Sequence, residues 1–225
     1  KGHSFVYSSI GVLLLLAWTA AFANASWAQQ WAHPAAYGIY VNANAAGGTR
    51  GDTLVDQLVA AGGNAVVFDV KDRLGRLSYP SEVKLARAIG ASKEATIDHP
   101  AAVVRSWRDR GLYVIARLTC FHDALLAQQR PGMAPLSRLG TGVWSERGTP
   151  NWVDPALPEV QQYLIDLALE VVGFGVEEIQ LDYVRFPTEG RIEEAVFSFD
   201  PDVLSKSAVI SDFVRRMRAA LEPTG

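Results

Sequence analysis

The sequence predicts an α/β fold: a parallel (β/α)8-type barrel of which this chain carries about the first four βα units. Three observations lead there. From Tyr37 onward, short apolar or β-branched segments alternate four times with helix-patterned ones, which implies parallel strands joined by right-handed crossovers. Long loops follow the second, third and fourth strands while the returns from helix to strand are short, and a barrel elaborates its loops at the strand C-terminal face. A doubly wound sheet would join its first strand to its helix through GxGxxG or GxxxxGK[ST], and the loose cluster Gly47, Gly48 and Gly51 matches neither. The strands are therefore expected in sequential order.

The first strand is Tyr37 to Val41 (YGIYV), rich in aromatic and β-branched residues. A glycine-rich turn, Ala46 to Gly51, leads to a helix expected to begin near Asp52 as its N-cap, with Leu54, Val55, Leu58 and Val59 on the apolar face and Gly62 and Gly63 at its end. Ala65 to Val70 (AVVFDV) is a nearly continuous apolar strand of the buried parallel kind. Residues Lys71 to Asp98 intervene, with a turn at Leu74 to Arg76 and an extended piece at Leu77 to Tyr79, before a helix from Pro100 to Arg110 that Gly111 ends. Leu112 to Leu118 (LYVIARL) is the third strand. After an excursion from Thr119 to Val153, Asp154 and Pro155 have the form of an N-cap and a first helical residue, for a helix running to about Val172. Glu178 to Tyr183 (EIQLDY) is the fourth strand, and the last helix spans Pro201 to Leu221, capped at Asp200.

With 225 residues, 49% hydrophobic and 20% charged, the chain has an ordinary globular composition and room for a sizeable core. Its 21 Lys and Arg against 24 Asp and Glu give a charge of -3, which leaves no basic field for nucleic acid and no polybasic membrane patch. The single cysteine, Cys120, excludes an internal disulfide, a Cys-rich zinc site and a CxxC motif. His122 and Asp123 lack HxH or HExxH spacing, so neither a metal nor another cofactor is expected. The first segment differs in kind. Ser4 to Ala32 carries no charge, Ile10 to Ala23 is almost unbroken in apolar residues, and Ala23 with Ala25 or Ser26 with Ala28 offer a cleavage site. Residues 1–28 are therefore expected to be an export signal or, uncleaved, a membrane anchor, leaving 29–225 as the barrel domain in the periplasm, cell envelope or exterior. Membrane contact would run only through that segment.

The run from Trp152 to Pro187 (WVDPALPEVQQYLIDLALEVVGFGVEEIQLDYVRFP), with FDVKD at Phe68 to Asp72 and ARLTCFHD at Ala116 to Asp123, resembles the putative glycoside hydrolase domain family of bacterial exported proteins. LDYVRFP is its most specific part, and the resemblance extends from about Ala36 to the end. It implies a TIM-barrel domain similar to the α-amylase-like superfamily, acting on a polysaccharide or oligosaccharide, with its nucleophile at the end of the fourth strand. It also implies a fifth strand, bearing the acid, beyond Gly225.

The residues themselves form a matching constellation. Asp69, Lys71 and Asp72 end the second strand, Arg117 ends the third, and Asp182 with Arg185 ends the fourth. Period-two alternation sets Val67, Asp69 and Lys71 on one face and Gln180 with Asp182 on one face. Unpaired carboxylates on apolar strands are costly, so these charges are expected to converge at the strand C-termini. Glycoside cleavage needs one protonated and one ionised carboxyl group. Asp182 is the candidate for the ionised one, and Asp69 for the second carboxylate or a substrate contact. Lys71, Asp72, Arg117, Arg185, Tyr40 and Asn42, with Asn44, are candidate substrate contacts. The alternative for these charges is salt bridging of a barrel rim, with Lys71 in an ion pair. The alternative for the protein is a non-catalytic carbohydrate-binding or scaffold domain. Trp144, Trp152, Tyr79 and Phe186 would stack on sugars or pack in the core, and Asp154 is expected to be an N-cap only.

Overall fold

The computed structural model describes residues 35–140 and 142–224, so the expected export signal lies outside the described residues. The strands are β1 (Gly38–Val41), β2 (Ala65–Lys71), β3 (Tyr113–Thr119), β4 (Leu136–Ser137), β5 (Glu178–Asp182) and β6 (Ala195–Val196). Four of them make one all-parallel sheet in the order β1-β2-β3-β5, which is the sequential order expected, while β4 and β6 pair antiparallel in the loops. The helices are α1 (Ala43–Ala46), α2 (Thr49–Ala60), α3 (Lys84–Ile89), α4 (Pro100–Asp109), α5 (Ala124–Gln129), α6 (Pro158–Val172) and α7 (Lys206–Leu221).

Alternation along the strands gives the sheet two unlike faces. Val66, Phe68 and Val70 of β2 and Val114, Ala116 and Leu118 of β3 are buried with Val55 of α2, Val104 and Trp107 of α4 and Leu164, Leu167 and Val171 of α6. Phe68 meets Trp107 edge to face at 5.4 Å. Each such side chain taken from water contributes roughly 1.5–3 kcal/mol, which makes this layer the main source of stability. The other face carries Tyr40, Asp69, Arg117, Gln180 and Asp182, and most of it is open to solvent.

Three helix starts differ from expectation. Gly48, not Asp52, precedes α2, and Asp52 sits in its first turn, where a carboxylate suits the positive end of the helix dipole. Asp154 is not an N-cap: its Oδ1 accepts from the Ala156 N–H at 2.9 Å and its Oδ2 from the Ser198 N–H at 2.6 Å, while α6 begins with Pro158 as its first residue. Asp200 likewise closes its own turn, accepting from the Asp202 N–H at 2.9 Å, and the Ser205 hydroxyl caps α7. An aspartate bonding the amide two residues on makes an Asx-turn from the residues that also make a cap. The short helices α1, α3 and α5, four to six residues each, lie in segments expected to be loops; one turn and a half offers no periodicity to detect.

The turn expected at Leu74 to Arg76 is present. Asp72 Oδ1 accepts from the Leu74 and Arg76 N–H groups, both at 2.9 Å, and Gly75 takes φ +84°. A Cβ at Gly75 would lie 2.0 Å from Asp123 Oδ1, so the turn needs glycine for both conformation and space.

Candidate functional site

Strand register assembles the site. Asp69 of β2 lies level with Arg117 of β3, Tyr40 of β1 is level with Val67, two residues earlier, and Asp182 of β5 is level with Thr119, two residues later. The four side chains thus climb the open face of the sheet like a stair toward the strand C-termini. Tyr40 Oη donates to Asp69 Oδ2, Arg117 Nη1 donates to Asp69 Oδ1 at 2.6 Å, and Arg117 Nη2 donates to Asp182 Oδ2. The remaining Asp182 oxygen, Oδ1, accepts from the Tyr183 N–H at 2.7 Å. Among the stair's three charges, side-chain exposure rises from 10% at Asp69 through 23% at Arg117 to 39% at Asp182.

The electrostatics follow from these bonds. Partial burial, then the hydrogen bond to Asp69 and that residue's charge, push the Tyr40 phenol up to about 12, since ionising it would set two anions side by side. At Arg117 burial opposes the charge, but the hydrogen bonds and charges of Asp69 and Asp182 together outweigh it and raise the guanidinium above its usual value. The guanidinium also lies 5.9 Å from the Tyr40 ring centroid.

Two of the charges expected to converge here stand elsewhere. The β2 register slips between Asp69 and Lys71, so Lys71 pairs with Leu118 and not with the residue two beyond Arg117. It leaves the Asp69 face and is wholly buried, its Nζ donating to the Thr119 carbonyl at 2.8 Å and lying 2.8 Å from Asp123 Oδ2. That second contact is an ion pair off the hydrogen-bonding direction, for Oδ2 makes no hydrogen bond, while Asp123 Oδ1 caps α5 through the Leu126 N–H at 2.8 Å. Arg185 donates to the Phe186 carbonyl at 3.2 Å and Thr188 Oγ1 at 3.0 Å, and stacks 4.9 Å from the Trp152 ring centroid. Asn42 caps α1 through the Ala45 N–H at 3.0 Å. Trp144, Trp152, Tyr79 and Phe186 are all buried, and so belong to the core and are not sugar platforms.

Two cavities flank the stair. One of about 260 Å³ at the ends of β1 and β2 is lined by Asn42, Asn44, Asp69, Asp72, Ser78 and Thr96 among others. The second, of about 320 Å³, lies beyond β3 and β5 and is bordered by Arg73, His122, Glu146, Trp152, Tyr183 and Arg185. Sequence reasoning passed over Arg73, Glu146 and Tyr183. Tyr183, directly after Asp182, holds φ +51°, a left-handed conformation costly for a bulky residue and one that leaves no mark in sequence. Among the described residues there is no group of three or more His, Cys, Asp or Glu able to hold a metal ion, and no helix long and apolar enough to cross a membrane.

Sequentially ordered parallel strands with alternating helices, and charges gathered at the strand C-termini, define a domain of TIM-barrel type. Solved structures similar to it include glycosidases and a hypothetical protein. The chain belongs to the family described as "Putative glycosyl hydrolase domain", whose model matches residues 38–225. It is similar to the crystal structure of a hypothetical protein from Ruminiclostridium thermocellum ATCC 27405, at 32% identity over 80% of this chain and 91% of that one, with a TM-score of 0.73. It shares its fold with the alpha-galactosidase from Lactobacillus brevis (18% identity, TM-score 0.56, 87% of this chain and 26% of that one). The same holds for a noncanonic maltogenic alpha-amylase, AmyB, from Thermotoga neapolitana (16% identity, TM-score 0.54, 84% of this chain and 44% of that one). The chain thus spans less than half the length of either enzyme. A comparison with curated proteins found no match.

Proposed function

We propose that this domain hydrolyses O-glycosyl bonds of a cell-surface or extracellular polysaccharide, with Asp182 as the ionised carboxylate that attacks the anomeric carbon or activates water. One observation carries the proposal: Asp182 is anchored at the end of β5 by Arg117 and the Tyr183 N–H, yet its side chain is the more exposed of the two carboxylates that Arg117 binds. A nucleophile needs that combination of fixed orientation and access. Both oxygens of Asp69 are already engaged, by Tyr40 and Arg117. We assign it to positioning those two groups. Tyr40, Asn42, Asn44 and Asp72 then offer hydroxyl contacts along the first cavity. The export expected from residues 1–28 belongs to the same proposal.

A second reading has its own support. The Arg117 guanidinium bonds both carboxylates and so fills the gap between them, as suits a carbohydrate-binding domain that keeps rim charges for stability. Asp182→Asn in the full-length protein separates the two. The glycosidase reading expects an unchanged fold, retained saccharide binding and a loss of turnover of at least about 100-fold. Turnover equal to wild type overturns it, and saccharide binding by a wild-type protein without any turnover supports the binding domain.

A further inference from the structure

Resting on the saccharide reading above, we infer that the cavity beyond β3 and β5 is a subsite for an acidic sugar unit, whose carboxylate is received by Arg185 and Arg73. Its volume of about 320 Å³ falls at the lower end of small-molecule sites, roughly 300–1,000 Å³, and accommodates one sugar ring with its substituents. Tyr183 lines it, so the cavity begins one residue past Asp182.

Some of the charges in the cavity are already satisfied. Arg147 and Glu189 pair with each other at 2.7 Å. Glu146 takes the Trp152 indole N–H at 3.2 Å. Arg73 has no acceptor for its guanidinium among the described residues, and neither do Nε and Nη2 of Arg185. The cavity is therefore bordered by two arginines without an acidic partner and by one carboxylate without a cation, that of Glu146, so the excess is cationic.

Arg185 is also held in place. Its Nη1 is fixed by the Phe186 carbonyl and Thr188 Oγ1, and its Cζ lies 4.9 Å from the Trp152 ring centroid and 5.5 Å from that of Tyr183. The edge left free, Nε with Nη2, is the fork that matches the two oxygens of a carboxylate. A neutral sugar would offer that fork hydroxyl oxygens but not the charge that strengthens the bond.

His122 completes the subsite. It is 6% exposed, and its ring packs 4.8 Å from Trp152 and 5.1 Å from Tyr183. Its Nδ1 lies 2.8 Å from the Arg73 carbonyl oxygen, which can only accept, so Nδ1 donates there. Nε2 has no protein partner among the described residues and is not sealed in the core, which leaves it available on the cavity side to hydrogen-bond a sugar hydroxyl. The strained Tyr183 backbone is what turns its ring toward His122 and Arg185.

The test compares binding of the full-length protein to oligogalacturonate and oligoglucuronate with binding to the carboxyl-reduced forms of the same chains, by calorimetry. The expected result is at least about tenfold tighter binding of one uronate than of its reduced form, a difference of ~1.4 kcal/mol. Arg185→Gln with Arg73→Gln should erase that preference, and both positions are exposed, so the fold should survive. Equal affinity for charged and reduced chains, no binding of either uronate, or a preference that outlives the double substitution each overturns the inference. Hydrolysis of a neutral glycan that depends on Asp182 but ignores charge would sink it and leave the glycosidase proposal standing. A uronate preference erased by the double substitution, without turnover, would do the reverse.

Discussion

Replacing Arg117 by methionine should reveal that its two carboxylate partners are unequal. Asp69 is nearly buried, and the substitution leaves its charge with only the Tyr40 hydroxyl. Removing one partner of a buried pair costs about 3–5 kcal/mol, and the remaining access to water places this one near the lower end. Asp182 is more than a third exposed, so water replaces the lost bond and the cost there is about 0–1 kcal/mol. A total of about 3 kcal/mol lowers Tm by about 6–12 °C for a domain of this size. Urea melts should show a lower midpoint at unchanged slope. Double-mutant cycles then divide the loss: Arg117 with Asp69→Asn should couple by about 2–3 kcal/mol and Arg117 with Asp182→Asn by less than about 1 kcal/mol. Equal couplings, or a larger one to Asp182, would refute the division into a positioning carboxylate and an available one. The same arithmetic makes Asp182→Asn nearly neutral for stability, so any loss of turnover in that variant reports on chemistry.

Lys71→Met should cost about 3–5 kcal/mol, because it strands the Asp123 carboxylate where both side chains are fully buried. Adding Asp123→Asn, which removes the charge and keeps the cap on α5, should restore most of the loss in the same melts, and a single-variant cost below about 1 kcal/mol would contradict the burial of the pair. Tyr40 should titrate near 12, above the 10.0 of a free phenol. Its folded pKa is raised, so its contribution to stability is complete below pH 10 and fades as pH rises through about 12. A wild-type minus Tyr40→Phe difference in phenolate absorbance shows this step, Asp69→Asn should move it down, and a step at 10 would refute the Tyr40–Asp69 bond.

The strands were legible because a parallel strand covered by helices must be apolar without interruption, and AVVFDV and LYVIARL have no competing helical period. Their order followed from the placement of long and short loops. Helix starts were poorly legible at Asp52, Asp154 and Asp200, where the same side chain can cap a helix, sit in its first turn or close an Asx-turn, and only packing decides. Asp69, Arg117 and Asp182 could be found as charges at the ends of apolar strands. Arg185 could not be placed, because it follows the strand and its direction depends on Tyr183, whose left-handed backbone has no sequence signature. Lys71 was assigned to the wrong face because strict alternation assumes an unbroken register.

That break in register shapes the site. With continuous alternation, Lys71 would have projected from the open face one step above Asp69, level with Thr119 and one strand away from Asp182, close to the Arg117 guanidinium. Two cations would then have competed for two carboxylates, and the lysine, flexible and strongly hydrated, would have met Asp182 in many geometries. The slip sends the ammonium inward to Asp123 and the Thr119 carbonyl, where it ties the β2 and β3 ends to α5. Arg117 is left bridging Asp69 and Asp182 without a competitor from β2, and a planar guanidinium bonded on both terminal nitrogens can hold Asp182 in only one orientation. The irregularity that defeats the sequence pattern is therefore what gives the exposed carboxylate its fixed direction.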